Sequence, residues 1–148
     1  MKITKATFED LPAILELQKL AFISEAQIHN NFKIQPLVQT LEEIQKEFEN
    51  WTILKLTDEQ QKIIGSIRVH EEKTRVQIGK LIVHPAVQNK GLGSRLLKEI
   101  EEMHPNKTFE LFTSSKSEKN LWLYKKNGYR EVKRQIGLDG LEFVFLEK

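Results

Sequence analysis

The 148-residue chain is 39% hydrophobic and 30% charged, carries a formal net charge of +2 and contains no cysteine. Its length fits one domain around one core, and no apolar run approaches the roughly 20 residues that a membrane helix needs. Without cysteine there is no disulfide, thiolate metal site or Cys nucleophile, and so small a net charge argues against nucleic acid, which usually meets a concentrated basic stripe.

Met1 to Asp10 lack the apolar core of a signal peptide, and the absence of cysteine makes the cytoplasm the expected compartment. Ile3 to Ala6 reads as a short strand. Thr7-Phe-Glu-Asp10 has the form of a capping box, opening a helix that carries Leu11, Ile14, Leu15, Gln18 and Phe22 on one face. Ser24 to Val38 is polar and reads as irregular. Thr40-Leu-Glu-Glu43 repeats the box and starts a second helix, with Leu41, Ile44 and Phe48 at helical spacing. Trp51 to Leu56, Ile63 to His70 and Arg75 to Val83 read as three strands whose short links make an antiparallel meander.

Pro85 ends the third of these, because it cannot donate to a ladder and biases His84 away from helix. Gly91 to Met103 reads as a helix whose stripe of Leu92, Leu96, Leu97, Ile100 and Met103 must face a sheet or core. Thr108 to Thr113 is a further strand, and Ser117 to Asn127 a helix ended by Gly128. Tyr129 to Ile136 and Leu141 to Leu146 pair as a hairpin through Gly137-Leu-Asp-Gly140. The order β-α-α-β-β-β-α-β-α-β-β predicts a mixed α/β (α+β) fold with residues 1–148 as a single domain.

The run from Lys80 to Leu97 takes an apolar strand through a glycine-containing loop directly into an amphipathic helix. That is the layout of an anion cradle. At a helix start several backbone N–H groups lack intrahelical partners and the macrodipole is positive, so a phosphate collects hydrogen bonds and favourable charge together. Gly91 and Gly93 place no side chain between a ligand and those amides. A dinucleotide fingerprint would want a third glycine where Leu96 stands, and a P-loop would want Gly-Lys-Ser/Thr after four spacers, so the cradle is of another kind.

Gln88-Asn-Lys-Gly-Leu-Gly93, preceded by Leu81-x-Val83-x-Pro85, resembles the acetyl-CoA-binding motif of the GNAT superfamily of N-acetyltransferases, Gln/Arg-x-x-Gly-x-Gly/Ala. Asn120-Leu-Trp-Leu-Tyr-Lys-Lys-Asn-Gly-Tyr129 resembles a later GNAT helix, and Thr7 to Pro12 its usual first-helix opening. The similarity therefore runs over nearly the whole chain in the expected element order. It implies a mostly antiparallel twisted sheet flanked by helices, with acetyl-CoA as cosubstrate. Its pyrophosphate would sit on the amides of Gln88, Asn89, Lys90, Gly91, Leu92, Gly93 and Ser94, and its pantetheine along the strand edge of Leu81, Ile82 and Val83. A splay between that strand and Thr108–Thr113 would admit it, and a backbone N–H near Leu81 or Ile82 would meet the thioester carbonyl.

The resemblance further implies that Asn120 and Tyr124, four residues apart on one helix, both face the cofactor. Tyr124 would be the general acid, since a phenol near ~10 is close to matched with a thiol of roughly 8.5 to 10. Lys126 falls where the family pattern has a lysine and would meet the 3′-phosphate, whereas Ser117 stands where the family often has Asn. For the general base the residues leave His70, Glu71, Glu72, Glu25, His29 or water open. The four histidines show no metal-ligand spacing, so no metal is expected.

The expected function is direct transfer of acetyl from acetyl-CoA to a primary amine of a small molecule, peptide or protein. Its alternative is a non-catalytic acyl-CoA-binding sensor on the same fold. Ser24 to Val38, the sheet face near Arg68 and His70, and Leu138 would select the acceptor. Gln27, His29, Asn30 and Asn31 offer neutral hydrogen bonding and argue against a polycation. A homodimer is left open.

Overall fold

The computed structural model describes residues 1–148. Seven strands are present: β1 (Lys2–Lys5), β2 (Thr52–Thr57), β3 (Ile63–Glu71), β4 (Arg75–Val83), β5 (Thr108–Ser114), β6 (Arg130–Ile136) and β7 (Glu142–Glu147). They form one open sheet in the order β1-β2-β3-β4-β5-β7-β6. Every pairing is antiparallel except that of β4 with β5, which are joined by a helical crossover. The helices are α1 (Leu11–Ala21), α2 (Ile23–His29), α3 (Gln35–Val38), α4 (Leu41–Phe48), α5 (Leu92–Met103) and α6 (Glu118–Lys126).

Two apolar clusters, one on each face of the sheet, hold this arrangement. On one face α5 lays Leu92, Leu96, Leu97 and Ile100 against β3 and β4, with Tyr124 and Tyr129 in the same cluster. On the other, Leu11, Ile14 and Leu15 of α1 and Ile44 of α4 cover Ile53 and Ile82. Leu96 and Ile100 are fully buried, and truncating such a side chain to Ala typically costs about 2–5 kcal/mol. Both predicted capping boxes form. The Thr40 N–H donates to Glu43 Oε1 at 2.9 Å and the Glu43 N–H donates to Thr40 Oγ1 at 3.2 Å. The Thr7 N–H donates to Asp10 Oδ2 at 2.8 Å, but Phe8–Asp10 is a 3-10 turn and α1 begins only at Leu11, with Pro12 in its first turn.

The segment from Ser24 to Val38, read from sequence as irregular, is largely helical. Its polarity conceals short helices that each bury little: α2 buries only Ala26 and α3 buries none. Asn30 ends α2 in the left-handed region at φ 48°, and the Asn31 N–H donates back to the Ala26 carbonyl at 2.9 Å. Together they lay a helical rim over one end of the sheet, so the observed order has two more helices than the predicted one.

Two irregularities in β4 position the site. Pairing with β5 is confined to Arg75, Val76 and Gln77 opposite Thr108, Phe109 and Glu110. Beyond that, β4 runs on to Val83 and β5 to Ser114 without pairing, which opens a wedge in the sheet. Nearer its middle, Ile67 faces Leu81 but Val69 faces Ile78, so Gly79 and Lys80 together oppose Arg68 in a β-bulge. A Cβ on Gly79 would come within 3.0 Å of the Trp51 ring, so the bulge needs glycine for Trp51 to pack over it.

Candidate active site

At the end of β4 the chain turns through His84-Pro85, and the Ala86 N–H donates to His84 Nδ1 at 3.0 Å. Gln88 Nε2 donates to the Val83 carbonyl at 3.0 Å, while Lys119 of α6 donates to Gln88 Oε1. Asn89 (φ 64°) and Gly91 (φ 80°) both take left-handed conformations. This folds the loop so that Gly91 caps α5, and the first backbone bond returning into that helix comes from the Arg95 N–H to the Gly91 carbonyl, at 3.1 Å. The amides of Leu92, Gly93 and Ser94 therefore point out of the helix start without an intrahelical acceptor.

The two glycines do different work. A Cβ on Gly91 would meet nothing within 4 Å, so the space above the helix start is open. A Cβ on Gly93 would meet Leu123 at 3.1 Å, so this glycine serves the close approach of α6 rather than of a ligand. Asn127 Nδ2 donates to Ser94 Oγ at 3.0 Å and ties the two helices together.

Beside this loop lies a cavity of about 240 Å³ between the exposed end of β4, the start of α5 and one face of α6. Of the residues singled out from sequence, Leu81, Ile82, Val83, Gln88, Asn89 and Gly91 line it, as do Leu92, Gly93, Ser94, Asn120, Tyr124 and Lys126. Lys90 is exposed and does not. The Lys126 ammonium rests over the Trp122 ring, 4.8 Å from its centroid.

A second cavity, of about 500 Å³, opens on the α1 and α4 face, over the bulge and under the α2–α3 rim. Both cavities are lined by Phe22, Glu25, Leu81, Asn120 and Tyr124, which therefore form the wall where they meet. Glu25 comes from α2 and is held by α6: its Oε1 accepts from Ser117 Oγ at 2.6 Å and from Asn120 Nδ2 at 3.0 Å. Its Oε2 is buried and has no partner. Tyr124 is 5% exposed. Burial, and then the Glu25 charge, raise its phenol well above the ordinary value. The near match between phenol and thiol expected from unperturbed values does not hold in the resting site.

The structure separates the five side chains considered as base. Glu25 and His29 line the second cavity. His70 packs against Trp51, with Nδ1 at 2.9 Å from the Asn50 carbonyl, and lines neither cavity. Glu71 and Glu72 engage Lys107, through the Glu71 carboxylate and the Glu72 carbonyl, both at 2.8 Å and away from the wedge. Sequence reasoning placed Arg68 on the acceptor face but missed Lys80, Glu47, Gln18 and Gln39 around it. Charged and amide side chains interrupting apolar strand and helix faces were the available signal.

The acetyltransferase (GNAT) domain family matches residues 21–148, and the chain belongs to that family. Solved structures with the same fold include the PaiA N-acetyltransferase of Thermoplasma acidophilum in complex with coenzyme A. It is 19% identical, with a TM-score of 0.76 over 99% of this chain and 97% of that one. The ribosomal-protein-alanine N-acetyltransferase of Brucella melitensis is 21% identical, with a TM-score of 0.77 over 100% and 99% of the two chains. A phosphinothricin acetyltransferase of Sinorhizobium meliloti in complex with acetyl-CoA is 16% identical, with a TM-score of 0.77 over 99% and 86%. No curated protein sequence matches significantly. Acetyl-CoA is the cosubstrate of this class, and the open space over Gly91 and the outward amides of α5 fit its diphosphate. No helix is long and apolar enough to cross a membrane.

Proposed function

We propose that residues 1–148 act as a single acetyl-CoA-dependent N-acetyltransferase domain that acetylates a primary amine directly. The observation that carries this reading is the wall between the cavities, where the Tyr124 phenol and the unpartnered Glu25 Oε2 stand together. In this reading the diphosphate rests on the amides of Gly91 to Ser94, with Gln88, Asn89 and Lys90 around it. Lys126 takes the 3′-phosphate, and the pantetheine pairs with the open β4 edge from Leu81 to Val83 as an added strand would.

The acceptor enters from the larger cavity, and its ammonium pairs with Glu25 Oε2. Once the ammonium has released one proton to solvent, the free amine attacks the thioester carbonyl, whose developing oxyanion is met by a backbone N–H of the β4 edge. The surplus proton on nitrogen passes to Glu25, directly or through water, and collapse of the intermediate breaks the C–S bond. Tyr124 donates its proton to the departing sulfur and recovers one from Glu25, directly or through water, giving the N-acetylated amine and free CoA thiol. Ammonium binding beside Glu25 offsets the charge that helps to raise the phenol, which brings Tyr124 nearer to donation when acceptor is present. A cytoplasmic setting belongs to the same reading.

The test is thiol release from protein, acetyl-CoA and an amine panel. Amine-dependent release is expected. Saturable acetyl-CoA binding with no release across primary amines of varied charge and size would favour a sensor and overturn this reading.

A further inference from the structure

Resting on the acetyl-transfer reading, we propose that the larger cavity selects acceptors carrying an anionic group, a carboxylate or a phosphonate, in addition to the amine. Arg68 and Lys80 at the β-bulge would hold that group.

Arg68 comes from β3 and Lys80 from the bulged turn of β4 opposite it, and both line the cavity beside Glu47. Arg68 is 2% exposed and rigidly held. Its guanidinium donates to Glu47 Oε2 at 3.0 Å, to Gln39 Oε1 at 3.4 Å and to Gln18 Oε1. These partners are themselves locked, since Gln18 Nε2 donates to Gln39 Oε1 and to the Pro36 carbonyl, both at 2.9 Å, and Gln39 Nε2 donates to Glu47 Oε2 at 3.0 Å. A guanidinium is costly to bury, and such a network is what keeps it in one orientation.

The charges at this floor do not balance. Glu47 is the one carboxylate facing two cations; it bonds Arg68 and leaves its Oε1 3.9 Å from Lys80 Nζ, beyond hydrogen-bond length. Lys80 has only 17% of its side chain exposed and makes no other ion pair. Burial, then the Arg68 charge, lowers its pKa to about 8, the mark of an ammonium short of anionic company. The other titratable groups lining the cavity do not supply it. Glu25 is engaged by Ser117 and Asn120 on the wall shared with the smaller cavity, His29 is at the α2 rim, and Asp139 is exposed on the β6–β7 turn, where it accepts from the Leu141 N–H.

The cavity is therefore polarised, with a carboxylate beside the phenol and two cations at the bulge. An amine bearing an anionic group complements both ends. A plain polyamine would set a second positive charge against Lys80 and Arg68, which repels it.

The test is calorimetry on the CoA complex with product-like ligands: N-acetyl ω-amino acids of increasing chain length, the matching primary amides, and N-acetyl aminoalkylphosphonates. At the best chain length the acid or the phosphonate should bind at least about 10-fold tighter than the amide, the scale of a charge-assisted contact. The two anionic series distinguish carboxylate from phosphonate. Lys80→Met should reduce the preference to about twofold or less while CoA still binds, and Lys80→Arg should retain it. Equal binding of acid and amide, no saturable binding by any anionic ligand, or a preference that survives Lys80→Met would overturn the proposal. Thiol release separates the two readings. Alkylamines and amino acids turned over equally would leave transfer standing and remove this inference, whereas anion preference without release from any amine would do the reverse.

Discussion

The two cavities that meet at Tyr124 are built from different materials. The smaller is made of backbone: the free edge of β4, the left-handed turns at Asn89 and Gly91, and the unpaired amides of α5. The larger is made of side chains drawn from the α2–α3 rim, α4, β3, β4, β5 and α6, with Arg68 at its floor braced by Gln18 of α1. A backbone site tolerates few changes, because its amides must stay where the turn puts them. A side-chain site can be rewritten one residue at a time without disturbing the sheet. In the proposed reading, geometry fixes the end that would take the cosubstrate, while side-chain chemistry sets the end that would take the acceptor.

Substitutions on the backbone side should break this division most severely. Gly91→Glu fills the open space of the cradle and puts a carboxylate where the diphosphate would rest. Acetyl-CoA affinity should fall by at least about 100-fold, followed through the fluorescence of the exposed Trp122 on the cavity wall. Gly91→Ala meets no steric obstacle, so it should cost only the strain of a positive φ, about 1 kcal/mol of stability in a urea titration. If both variants bound acetyl-CoA like the parent, the loop would not be its site.

At the shared wall the effects should be smaller and should appear in turnover. Tyr124→Phe is expected to lower kcat by roughly 10²-fold in steady-state assays with acetyl-CoA affinity retained. Intact turnover would assign the proton to water. Glu25→Gln keeps the bonds to Ser117 and Asn120 but removes the charge that meets the ammonium, and should lower kcat/KM by about 10-fold or more.

The mildest effect belongs to the side-chain end and to pH. Lys80 is lowered to about 8 by burial and by Arg68. It is charged below that value and neutral above it, so KM for an anionic acceptor should rise as pH passes from about 7 to 9. For folding the sign is set by a pKa depressed from its unfolded value. Burial of the charged amine lowers stability below about pH 8, and that penalty is relieved as pH rises from there toward 10.5. A KM that stays flat across this window would remove Lys80 from acceptor recognition.

The same division explains what could be read before the fold was known. The cradle was legible because a left-handed turn and a helix start impose glycine and a local pattern on contiguous residues, from Gln88 to Ser94. Strand and helix positions followed from apolar periodicity, and all seven strands fall within a residue or so of where that periodicity puts them. The α2–α3 rim was not legible, since helices burying at most one residue leave no stripe to detect. Lys80 and Glu47 escaped for a different reason. They are far apart in sequence, and only the bulge opposite Arg68 brings them to one floor. Of the five side chains open as base, Glu25 and His29 line the larger cavity, Glu25 on the wall that holds Tyr124, whereas His70, Glu71 and Glu72 lie outside both cavities.

Isothermal titration of the folded protein with acetyl-CoA tests the central claim most directly. The account predicts saturable binding to one site per chain, weakened by salt as a diphosphate held by amides and lysines should be. A flat titration on protein whose unfolding transition is intact would contradict it.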